Sequence, residues 1–146
     1  MTKFLHPVAG TFALLMIATF WSASFVSELF GNHAQITAVK TAIPYGFLIL
    51  IPALAIAGGT GFTRAGKRRG GVLGVKIRRM PVLAANGVLI LIPAALFLSW
   101  KARHGQFDSL FYGVQLIELA AGGVNLFLLG CNMRDGFRLT GRFRRR

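Results

Sequence analysis

The chain has one cysteine, Cys131, which excludes an intrachain disulfide and any thiolate metal cluster built by this chain alone. It has no Walker motif, no His-Glu-x-x-His, no Cys-x-x-Cys and no nucleophile elbow. The glycines of Gly58-Gly59-Thr60-Gly61 and Gly70-Gly71 lack the preceding strand that a phosphate-binding turn requires, so they read as flexibility and helix termination. Charged residues are scarce at 14%, and only Glu28, Asp108, Glu118 and Asp135 are acidic. Catalytic constellations are weak or absent in what is left.

What the chain has in abundance is apolar. A hydrophobic content of 54% and a mean hydropathy of +0.60 over 146 residues are far from a soluble composition, so the apolar residues must face lipid. The net charge of +13 would suit nucleic acid, but most basic residues flank apolar segments and no soluble basic domain stands apart from them. Membrane topology explains the charge more simply, and no nucleic-acid partner is expected.

Four segments are long enough to cross ~30 Å of hydrocarbon at ~1.5 Å per residue. They run over about 4–30, 36–61, 81–100 and 110–130. The first follows Met1-Thr2-Lys3 like a signal peptide, but it is too long and has no small-residue cleavage motif, so it is expected to stay as a membrane helix. Its Ser and Thr residues, Ser24 and Ser27 among them, read as packing groups, and Glu28 as a solvated interfacial carboxylate. The second carries Lys40, Pro44 and Pro52, and the third Asn86 and Pro93, with local kinks expected at the prolines. Trp100 closes the third as an interface anchor. Short polar connections at 31–35 and 101–108 make each pair of segments a helical hairpin, with Asp108 or Ser109 placed to cap the fourth helix.

Basic residues then orient the molecule. The stretch 63–79 holds seven of the seventeen Lys and Arg, and the segment from Asn132 onward holds six arginines. With Lys3 these put fourteen on one side, against Lys101 and Arg103 on the other. Such asymmetry marks the cytoplasmic side. The expected architecture is an all-α integral membrane protein: a four-transmembrane-helix antiparallel bundle over 1–131, a basic tail over 132–146, and both termini cytoplasmic in a bacterial-type inner (plasma) membrane. Near the inner end of its helix, Cys131 suits a reduced thiol. Anionic lipid headgroups are the expected contacts of Arg64, Lys67, Arg68, Arg69, Lys76, Arg78, Arg79, Arg142, Arg144, Arg145 and Arg146. Phe137, Leu139 and Phe143 interleave with the tail arginines, as in a surface-lying amphipathic piece; a flexible basic tail is the rival reading.

Glu118 is the most informative single residue. A carboxylate well inside a span costs roughly 2.5 to 3.5 kcal/mol, so it must be protonated or paired. Gln115, Glu118, Gly122 and Asn125 follow i, i+3, i+7, i+10 spacing and form one face that should point into the bundle. Gly122 and Gly123 would let another backbone approach. Lys40, in the same outer half, is expected to snorkel to the outer headgroups while Gln115, Asn86 or a water holds Glu118. A buried Lys40–Glu118 pair, and a proton, quinone or ligand site on Glu118, are the alternatives.

The four-span layout is generically like that of small b-type cytochromes, whose deep axial histidines are missing here. His6 lies at the inner end, so only His33 and His104, in the two outer turns, could converge on a haem or metal; ordinary solvated or capping histidines are the expectation. The sequence therefore points to an accessory, assembly or binding subunit without catalysis of its own, in contact with other membrane subunits or itself. A redox subunit using haem b or quinone and a small proton-coupled transporter using Glu118 are the alternatives.

Overall fold

The computed structural model describes residues 2–65 and 71–139. All regular structure among them is helical: α1 (Thr2–Phe30), α2 (His33–Ala65), α3 (Gly71–Asn86), a π turn (Gly87–Leu91), α4 (Ile92–Arg103) and α5 (Ser109–Leu139). Four stretches are long and apolar enough to cross a membrane: Leu5–Phe30, His33–Gly61, Ile77–Arg103 and Ser109–Arg138. Their outer faces are what lipid would cover, with Leu48 75% and Phe127 70% exposed. This is the build of a multi-pass membrane protein.

Local chemistry sets the ends of the helices. Asn32 and Gln35 form a reciprocal cap: the Gln35 N–H donates to Asn32 Oδ1 and the Asn32 N–H to Gln35 Oε1, both at 3.0 Å. Two residues, Gly31 and Asn32, therefore suffice to turn α1 into α2. At the other turn Gly105 has φ +64°, a left-handed conformation that a glycine adopts freely, and it ends α4. Asp108, of the two expected caps, accepts from the Phe111 N–H at 2.9 Å and opens α5.

Contacts between distant residues show the helices running antiparallel. His6 Nδ1 donates to the Ala57 carbonyl at 2.9 Å, tying the start of α1 to the last part of α2. Arg79 ion-pairs with Asp135 at 2.8 Å, tying α3 to the end of α5. Both short turns lie at the opposite end, packed on a cluster of Ile36, Leu98, Ala102 and Phe111. Neighbours around the bundle are α1 with α2, α2 with α4, α4 with α5 and α5 with α1. That leaves α2 and α5 facing each other across its diagonal. Near the turns the bundle is closed, whereas toward the basic end α2 touches α3 least of all neighbouring pairs.

Several boundaries differ from the sequence expectation. The third helical stretch begins at Gly71 and runs through Met80-Pro81, because proline is tolerated where neighbours satisfy the freed carbonyl. The Gly58–Gly61 run does not end α2, and α5 continues through Leu139. Between α3 and α4 the Ile92 N–H reaches back to the Gly87 carbonyl. Pro93, one residue on, has no N–H for the regular i→i−4 bond, and the helix widens by one residue there.

Candidate functional site

Lys40 does not reach the headgroups. It is 1% exposed, and its Nζ donates to Glu118 Oε2 at 2.5 Å and to Ser24 Oγ at 3.0 Å. The expectation of a snorkelling lysine fails for a geometric reason. A lysine stem is long enough to cross the bundle diagonal, and Glu118 and Ser24 present two acceptors there. An ammonium in a dry interior needs such acceptors, and a carboxylate there needs a cation. The group joins α1, α2 and α5.

Gln115, Glu118, Gly122 and Asn125 are all buried in the structure. Asn86 Nδ2 donates to Asn125 Oδ1 and to the Ala121 carbonyl, both at 2.8 Å, pinning α3 to α5 just before the π turn. Gln115, 3% exposed, has no hydrogen-bond partner on either amide atom, so it does not hold Glu118. Glu28 is half-buried, not freely solvated; its Oε1 is enclosed without a hydrogen-bond partner, within electrostatic reach of Lys40, Glu118 and His33. The space beside Gly122 is taken by an indole ring and not by a backbone: a Cβ there would lie 2.7 Å from Trp21 Cδ1. Trp21 Nε1 then donates to the Leu119 carbonyl at 2.8 Å.

Trp21, Ser24, Glu118, Gly122 and Asn125 border a cavity of about 440 Å³ lined by residues of all four spans. Ser24, Glu118 and Asn125 supply polar groups to a wall that is otherwise almost wholly apolar, including Ile43, Leu50, Leu83 and Leu129. A largely apolar pocket with a few convergent polar groups is the usual form of a small-molecule site. The π turn contributes Gly87, Val88 and Leu91 to its wall.

The two outer histidines go to separate neighbours. His33 stacks on Phe107 with ring centroids 4.1 Å apart, and His104 Nδ1 donates to the Trp100 carbonyl at 2.7 Å. Among the described residues no three His, Cys, Asp or Glu side chains group as metal ligands. Of the expected headgroup residues, Arg78 is exposed and Arg79 is held by Asp135. Lys67, Arg68, Arg69, Arg142, Arg144, Arg145 and Arg146 lie outside the described residues, as do the side chains of Arg64 and Lys76.

Sequence reasoning missed Ser24 and Trp21 as site residues. Their signal was there: Trp21, Ser24 and Glu28 follow i, i+3, i+7 spacing, one face of α1. The chain matches no protein-family profile, no characterised protein and no solved structure.

Proposed function

We propose that the chain is a multi-pass protein of a bacterial-type inner membrane that serves as a binding or accessory subunit within the bilayer, without catalysis of its own. The cavity carries this reading: a well-packed structural bundle has few voids larger than a water, whereas this one keeps about 440 Å³ with a polar corner. Fourteen basic residues near the termini and the α2–α3 connection support cytoplasmic placement of both termini.

The test is purification of the full chain in mild detergent, beside an Ala84→Phe variant, which adds a ring at a residue that lines the cavity and is exposed at its rim. The wild type is expected to retain a protein or small molecule that the folded variant loses. Equal retention by both would contradict the reading.

One observation favours a second reading, proton-coupled transport. Glu118 lines the cavity and also holds Lys40, so protonating it breaks the pair and changes the cavity's charge. Proton-driven uptake in proteoliposomes that survives Glu118→Ala would end that reading.

A further inference from the structure

The cavity has a length, a mouth and a polar corner at Ser24 and Glu118, with the Asn125 amide about 10 Å further along α5, and together they define a chemical class of occupant. On α2 its wall runs from Ile43 to Gly58, about 22 Å along the helix at ~1.5 Å per residue. Spread over that length, a volume of about 440 Å³ open to the centre of a water-sized sphere makes a channel about 5 Å wide, and hence about 8 Å from wall to wall. One hydrocarbon chain, about 5 Å across, fits that width, whereas two side by side do not. A helix about 10 Å across is also too wide, so a partner helix does not fit.

The mouth lies where α2 parts from α3 and the π turn that follows it. Ile51 and Leu54 on one lip and Val88 on the other line the cavity and are also exposed on the outer face. At that depth only hydrocarbon surrounds the protein, so what enters must already be dissolved in the bilayer.

The corner specifies the head. Glu118 as a carboxylate only accepts hydrogen bonds, whereas the Ser24 hydroxyl accepts from Lys40 and has its own proton to give. A hydroxyl satisfies both, donating to Glu118 and accepting from Ser24. The charge of Glu118 is already matched by Lys40. The corner also lies nine residues into α5, about 13 Å from its start, inside the hydrocarbon region. A phosphate or quaternary ammonium head would be stripped of water there with no counter-charge to meet it.

We infer that the cavity holds one uncharged, single-chain lipid alcohol, taken up sideways from the bilayer between α2 and α3, with its hydroxyl at Ser24 and Glu118. The inference rests on the binding reading above and names its ligand.

Trp21 lines the cavity, and the chain has only one other tryptophan. Full-length Trp100→Phe protein in lipid nanodiscs is therefore titrated with chain-brominated hexadecanol, and quenching of Trp21 is read. The hexadecyl phosphate and hexadecyl trimethylammonium analogues, brominated alike, serve as comparisons. The alcohol is expected to quench saturably. Its apparent affinity should fall by about tenfold or more in Ala84→Phe, and also in Lys40→Met/Glu118→Leu, which removes the polar corner without leaving a lone charge. Both charged analogues should bind at least about tenfold more weakly than the alcohol. Quenching that rises without saturation, or charged analogues that match the alcohol, would overturn the inference. If the alcohol fails while the native protein still retains a ligand that Ala84→Phe loses, the lipid class falls and the binding reading stands. If that retention is also absent, both fall.

Discussion

At the scale of single residues, Gly122 has a role that no other side chain can take without displacement. A Cβ there would sit 2.7 Å from the Trp21 ring, whereas at Gly130 it would meet nothing within 4 Å. Gly122→Ala is expected to destabilise the protein by about 1–3 kcal/mol through overpacking. Gly130→Ala should leave stability unchanged or raise it slightly, since alanine favours the helix. Reversible unfolding in mixed micelles compares the two. At the second turn, Asp108 is held below the ordinary carboxylate range, first by the hydrogen bond from Lys101 and then by the Phe111 N–H. Because folding depresses this pKa, its contribution is present above the unfolded value and is lost as pH falls through the folded one. Wild type and Asp108→Asn should therefore differ in stability near neutral pH and converge below the ordinary carboxylate range. A difference that persists unchanged into acid would count against that role.

At the scale of elements, the π turn shows what periodicity alone cannot reveal. Pro93 and Asn86 are both visible in the sequence as unusual residues in a span, yet their effects combine only once the helix is built. The missing N–H of Pro93 shifts the register by one residue, and that shift helps aim Asn86 at Asn125. Pro93→Ala restores the donor and is expected to let the helix close to regular α geometry, turning Asn86 away by about 100°, one residue's rotation. Cysteines at 86 and 125, in a Cys131→Ser background, should cross-link readily with Pro93 present and poorly once Pro93→Ala is added. Equal cross-linking would mean that proline does not set the register. The inward face of α5 was legible because Gln115, Glu118 and Asn125 keep helical spacing over three turns. The extension of α5 through Leu139 was hidden, because Asn132, Arg134, Asp135, Gly136 and Arg138 break the apolar run that marked the span.

At the scale of the whole molecule, four spans and two hairpins follow from apolar run lengths and short polar turns. Composition and chain geometry alone set those. The meeting of Lys40 with Glu118 was not legible in the same way. Snorkelling and pairing are both good outcomes for a lysine near a helix end, and the choice depends on which helices face each other across the bundle. The structure puts α2 and α5 on the diagonal, so the pair joins one hairpin to the other and closes the polar corner of the cavity. That pairing is the central claim, and a double-mutant cycle over Lys40→Met and Glu118→Leu, read by reversible unfolding in mixed micelles, tests it most directly. Each single change should cost about 3–5 kcal/mol, because it strands a buried charge, while the double variant should lie close to the wild type. Two small, additive losses would contradict the account and return Lys40 to the headgroups.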